Sequence, residues 1–324
     1  MKNFLKLPAQ VYTLAPDIER AGERIKPRSK FKFNYKPWLF LLPALVLIAF
    51  WLYRPLAETV YYAFHSWGMV PGTMPRFVGI SNFTKLLTSK DFFTSIRNTV
   101  FYIVGLLPFS VIIPLFLASA TNDLPSKAKN FYRALFFIPM IMAPVATATI
   151  WRWLLNPSSG LINQLIVGLG ISDTNISFFL TEGVARMTIL LITGWKMIGF
   201  STLMFSAALA GINRDYFEAA RLDGASRLRQ FTTITLPLIS PTVIFMLMMS
   251  ILFASQWTFA YIDLLTQGGP YGTTTNIYYE MYKYGFSSLN VGMSSASAVI
   301  FFIIFGIIAL LLNRLSARFV FYDN

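Results

Sequence analysis

Apolar residues fall into six long runs divided by polar intervals: 38–64, 98–120, 134–155, 184–211, 241–265 and 291–312. A helix needs roughly 20 residues to cross bilayer hydrocarbon, so each run is long enough to span a membrane. The pattern predicts an all-α membrane protein with six transmembrane helices. Pro108 and Pro114 lie in the second run, where kinks are tolerated if neighbours re-satisfy the backbone, and Pro139 and Pro144 lie in the third. Gly160 to Leu169 reads as a short amphipathic helix on the outer surface.

Charge orients the spans. About eighteen Lys and Arg fall in one set of intervals and about five in the other, with no Lys or Arg between Asn156 and Gly183. Positive-inside bias then places both termini in the cytoplasm. Residues 1–37 form a basic cytoplasmic tail, interrupted by four prolines and clustered at Arg24, Lys26, Arg28, Lys30, Lys32 and Lys36. It fixes topology, and each Lys or Arg would add about 1 kcal/mol on anionic lipid. Nearly forty residues precede the first run and no small-residue cleavage site follows it, so that run is expected to stay as an anchor.

Composition narrows the function. The chain is 55% hydrophobic with mean hydropathy +0.57, too apolar for a soluble domain of 324 residues. Its net charge of +13 is spread between apolar runs rather than gathered in a stripe with aromatics, so no nucleic-acid partner is expected. There is no cysteine, and the single histidine, His65, reads as an interfacial polar residue. No phosphate-binding loop, HExxH or GxSxG occurs, so no catalytic residue, metal or cofactor is assigned. A pump built on this chain must borrow its motor.

The interval 212–240 is the polar island. Asn213 can cap a short helix with Asp215 in its first turn, Ala219 and Ala220 keep one side small, and Gly224 can stop it in a left-handed conformation. Asp223 is expected to hold the turn, or to cap locally. Ser226 can cap a second helix with Leu228, Phe231 and Ile234 on one face, ended by Pro237, and Ser240 with Pro241 can start the fifth span.

The string EAARLDGASRLRQFTTITLPLISP, Glu218 to Pro241, resembles the EAA motif of membrane subunits of binding-protein-dependent ABC importers, in the form of the carbohydrate branch. FVGISNFTKLL resembles the segment after the first span in that family. The likeness covers about 36–322, within which 38–322 would be the permease domain. It implies a type I importer permease fold and a loop, 212–240, that sits in a cleft of a cytoplasmic ATPase. It also implies a second related permease, two ATPase subunits, an external binding protein and a bacterial inner membrane location. By the same resemblance Glu218 pairs with a cationic group of the ATPase, Gly224 is a hinge, and Ala219, Ala220 and Asp223 belong to the coupling surface.

Polar groups inside spans usually face protein or a water-filled cavity. In span five, Ser255, Thr258 and Tyr261 share a face that resembles the sugar-contacting face of maltose-type permeases; interhelical hydrogen bonding is the other reading. Lys196 in span four would cost about 2.5 to 3.5 kcal/mol at the membrane centre without compensation. It is a candidate to attract an acidic, uronate-type oligosaccharide, although the family often has a basic residue here, and Phe200 one turn on could stack on a sugar ring. The expected function is thus the permease subunit of a carbohydrate ABC importer. The rivals are an ion-coupled secondary transporter acting alone, for which Asp263 and Glu280 are poor coupling sites, and a polytopic membrane enzyme.

Overall fold

The computed structural model describes residues 36–70 and 72–319, so the basic cluster of the tail, apart from Lys36, lies outside the described residues. The chain divides into two units, residues 1–55 and 56–324. Helix α1 (Lys36–Ile48), a π turn (Ala49–Tyr53) and α2 (Arg54–Ala63) give an apolar helical stretch long enough to span. Within it the Arg54 guanidinium lies 5.1 Å from the Phe50 ring centre.

The interval after the first span is more ordered than a loop. Strands β1 (His65–Ser66) and β2 (Arg76–Phe77) pair antiparallel, followed by α3 (Ser81–Thr88). His65 is buried, stacked on Tyr61 at 3.9 Å between ring centres, with Nδ1 2.6 Å from the Tyr61 carbonyl oxygen. Asn82 donates to the carbonyls of Ala63 and His65 and so ties α3 to the end of the first span.

Span two begins at Lys90, eight residues before the apolar run. Ser89 accepts from Phe92 N at 3.3 Å and Asp91 sits in the first turn, so a polar cap carries the helix outward. Helix α4 (Lys90–Leu107), a π turn at Pro108–Ile112 and α5 (Ile113–Asn122) form one continuous rod. The prolines are absorbed by the wider turn.

Span three is not one helix, contrary to the sequence reading. It breaks between α6 (Ser126–Ile141) and α7 (Pro144–Leu154), which meet at 94°. Pro144 has no N–H and drives Ala143 to an extended backbone, ψ 138°, and Met142 is extended as well. Counting the broken pair as one, six candidate spans lie among the described residues. The short helix expected after span three is α8 (Leu161–Gly168), held by Asn163, which donates to the carbonyls of Asn156 and Ile176.

Helix α9 (Glu182–Ala210) is the centre of the second unit. Two-thirds of its most apolar window is buried, against 28% or less in the spans of residues 90–122, 240–266 and 291–314. Small residues let neighbours reach its backbone. A Cβ on Gly199 would lie 2.2 Å from the Phe136 carbonyl oxygen, and one on Gly194 would lie 2.5 Å from the Phe109 ring. Span five is α13 (Ser240–Tyr261) with a π turn at Ile262–Thr266. Its cap position is Ile239, so Ser240 is the first helical residue rather than the cap, while Pro241 lies in the first turn as expected. Ser110 donates to Ser250 across spans two and five at 3.1 Å. An unforeseen outer helix, α14 (Ile277–Tyr282), and a π turn (Lys283–Ser287) precede α15 (Val291–Phe319).

Candidate coupling hairpin and translocation path

The hairpin is built as its capping residues dictate. Helix α10 (Arg214–Leu222) is capped by Asn213, whose oxygen accepts from Asp215 N at 3.1 Å. Gly224 has φ +74°, Gly224 N donates to Arg221 O, and Ala225 N donates to Ala220 O at 2.9 Å. These paired bonds satisfy the last carbonyls of α10. Asp223 is exposed and its N–H donates to Ala219 O, so main-chain bonds contribute to the turn.

Ser226 accepts from Arg229 N at 3.3 Å and starts α11 (Arg227–Gln230). A π turn at Phe231–Thr235 follows, then α12 (Leu236–Leu238). The wider turn breaks the expected threefold face: Leu228 is 74% exposed, whereas Phe231 and Ile234 are half-buried. Pro237 does not end the helix, because it occupies the tolerant first turn of α12; the break falls at Ile239.

The faces of α10 differ. Leu222 stands 90% exposed at its C-terminal end. Arg214, Phe217, Glu218 and Arg221, spaced i, i+3, i+4 and i+7, line a cavity shared with the ends of α5 and α9. Glu218 and Ala219 are exposed and Ala220 is half-buried.

The path residues do not converge on one open cavity. Lys196 is midway along α9 and 7% exposed; its Nζ donates to the Met142 carbonyl at 2.7 Å. The ammonium thus caps the C-terminal end of α6 at the break in span three, where carbonyls lack helical donors. Phe200 meets Phe253 edge-on at 5.9 Å, and Phe253 stacks on Trp257 at 4.2 Å, an aromatic ladder from span four to span five. Ser255, Thr258 and Tyr261 are buried. Thr258 accepts from Asn276 Nδ2 at 2.7 Å, and the same amide donates to the Ser255 carbonyl. Among the described residues the Ser255 hydroxyl has no partner, while the Tyr261 hydroxyl lies toward the Thr147 side chain.

Asn276 was not anticipated, and neither was the network that it joins. Asn98 donates to the carbonyls of Gly272 and Thr275, Tyr102 donates to Thr274 O, and Ile277 N donates to Thr99 Oγ1. Arg186 donates to Asn98 Oδ1 at 3.3 Å with its guanidinium 4.2 Å from the Phe101 ring centre. The loop 266–276 is therefore knitted into spans two and five, and through Asn98 to Arg186 of span four. The available signal was Asn98 and Arg186, polar residues at the edges of apolar runs. Beyond the loop, Lys283 pairs with buried Glu280 at 2.7 Å, and burial, then the charge of Glu280, push the Tyr284 hydroxyl up to about 12.

Residues 110–322 match the family described as "Binding-protein-dependent transport system inner membrane component". The sn-glycerol-3-phosphate transport system permease protein UgpA of Yersinia pestis bv. Antiqua (strain Antiqua) is 33% identical over 273 residues, 84% of this chain and 91% of that protein. UgpA of Escherichia coli O157:H7 is 31% identical over the same shares. A chain of a bacterial ABC transporter involved in import of the acidic polysaccharide alginate superposes with TM-score 0.77 at 27% identity, covering 88% of this chain and 96% of that one. A chain of the bacterial alginate transporter in complex with an alginate pentasaccharide-bound periplasmic protein gives 0.78 at 25%, covering 94% and 97%. The hairpin, the six candidate spans and these likenesses agree: the chain belongs to the binding-protein-dependent transport system inner membrane components, the permease subunits of ABC importers, whose ATP hydrolysis is done by a separate ATPase.

Proposed function

We propose that this permease carries an acidic oligosaccharide across the bacterial inner membrane, receiving it from an external binding protein. Its working partners would be a second related permease and two ATPase subunits, with both termini in the cytoplasm. Lys196 is the observation that carries the anionic cargo. Its ammonium sits midway along the central span, bonded to one carbonyl and, among the described residues, to no carboxylate, which leaves hydrogen-bonding capacity on a buried cation. The relatives' cargoes, sn-glycerol-3-phosphate and alginate, are themselves anions, which supports the reading. In a state where the path opens, a uronate carboxylate would replace the Met142 carbonyl on Lys196, and Phe200 would offer a ring face. Ser255, Thr258 and Tyr261 would serve the path from span five, with the Ser255 hydroxyl as a donor.

The coupling assignment is the exposed hairpin. Glu218, exposed and without an ion-pair partner among the described residues, would meet a cation of the ATPase. Ala219 and Ala220 would admit its close approach, and Gly224 with Asp223 would set the angle between the two helices. Uptake of uronate and neutral oligosaccharides by Lys196→Met tests the cargo. Selective loss of uronate uptake is expected, and equal retention of both sinks it. A second reading is favoured by the Met142 contact itself: Lys196 clamps the break in span three, in which case the same variant loses both cargoes together. Uptake without any ATPase would instead favour an ion-coupled carrier acting alone.

A further inference from the structure

Inside the hairpin lies a cavity of about 680 Å³, bounded by the end of α5, the turn into α6, the end of α9 and both hairpin helices. Its size falls within the range of roughly 300–1,000 Å³ typical of small-molecule sites. Four cations line it, Lys129, Arg214, Arg221 and Arg227, against two carboxylates, Asp123 and Glu218. Among the described residues, none of the three guanidiniums has an ion pair or a side-chain hydrogen bond. Lys129 donates to the Asn122 carbonyl and to Asn122 Oδ1, at 3.1 and 2.8 Å, which fixes the ammonium and leaves its third N–H free. Arg133, the Asp123 carboxylate and Arg214 lie within electrostatic reach of it, and the buried Nε of Arg133 has no partner among the described residues. Ser119, also on the lining, has a buried hydroxyl with no partner.

Convergent cations in excess over carboxylates, with unmet donors around them, make a site for a compact polyvalent anion. Guanidinium forks match phosphate oxygens two at a time. The cavity sits where the cytoplasmic ends of spans two and four meet the hairpin, a position in which basic pockets take lipid phosphates. We infer that this cavity binds a phosphate-bearing anion, from a soluble organophosphate or from an anionic lipid headgroup, bracing the hairpin against the turn between α5 and α6. The binding claim stands on the cavity alone; only its effect on coupling rests on the hairpin reading above.

The test uses the full permease assembled with its ATPase partner in phosphatidylcholine nanodiscs, the nucleotide sites filled with a non-hydrolysable ATP analogue. Inorganic phosphate titrated by calorimetry probes the soluble source. Native mass spectrometry of retained lipid in nanodiscs containing phosphatidylglycerol probes the lipid source. Saturable binding in at least one arm is expected, weakened tenfold or more in Lys129→Gln with Arg227→Gln and retained in Lys129→Arg. Copurification with the ATPase checks that the variants are assembled. If the ATPase fails to bind at all, the hairpin reading falls while the two arms can still be run on the permease alone. No saturable binding in either arm, or equal binding by the glutamine variant, overturns the inference.

Discussion

At Lys196, two opposed quantities nearly cancel. A lysine at the centre of a span costs about 2.5 to 3.5 kcal/mol. A hydrogen bond to a charged group contributes about 1.5 to 3 kcal/mol. Lys196→Met is therefore expected to shift the melting temperature in detergent only slightly while reducing uronate uptake at least tenfold. A large loss of stability would favour the clamp at Met142. Gly199 sets a harder limit, because its neighbour is backbone: a Cβ 2.2 Å from Phe136 O forces α9 and α6 apart. Gly199→Ala should lose about 1 to 3 kcal/mol, the range for overpacking, and an unchanged thermal melt would contradict the close approach. Gly224 has open space around it, so its constraint is conformational. A side chain at φ +74° costs roughly 1 to 2 kcal/mol, and Gly224→Val should weaken copurification of the ATPase while the protein still reaches the membrane. Undiminished copurification by this variant and by Glu218→Ala would remove the hairpin from the coupling role.

Among the elements, the outer loop 266–276 depends on one side chain. Asn276 donates twice into α13 and accepts from Tyr279 N at 2.8 Å, all in a buried setting. Each buried group left unmet costs about 1 to 3 kcal/mol, so Asn276→Ala should lower the melting temperature and raise amide exchange across 266–276. Exchange at the wild-type rate would show that the loop is held by other contacts. This element also marks where sequence reading stops. The turn chemistry of Gly268, Gly269 and Pro270 is local and legible, but the attachment of Asn276 to Ser255 and Thr258 spans 21 and 18 residues and follows only from packing. Within the hairpin, by contrast, Asn213, Gly224 and Ser226 act on neighbours two to five residues away, so their roles were readable. Its second half was not, because a single π turn moves Leu228 off the face of Phe231. The same limit explains span three: hydropathy sees one run from 134 to 155, while Pro144 bends it by 94°.

For the whole molecule, hydropathy and charge fixed the class because a membrane permits few solutions: buried backbone in hydrocarbon must bond to itself, and helices do so. What they left open was where the polar side chains meet. Helix α9 is the common element, packing against spans two, three and five through Gly105, Gly194, Gly199 and the Phe200 ladder. A force on the hairpin reaches it directly, since α9 ends at Ala210 and α10 begins at Arg214. The account thus joins a driven hairpin to a central helix that carries one buried cation. Proteoliposomes containing this permease, its partner permease, the ATPase and the binding protein, assayed for uptake of a labelled oligouronate, test that join most directly. Uptake should require ATP, the binding protein and an intact Lys196, and should outpace a neutral oligosaccharide of equal length. Uptake that persists without ATPase, or that ignores the charge of the sugar, would contradict it.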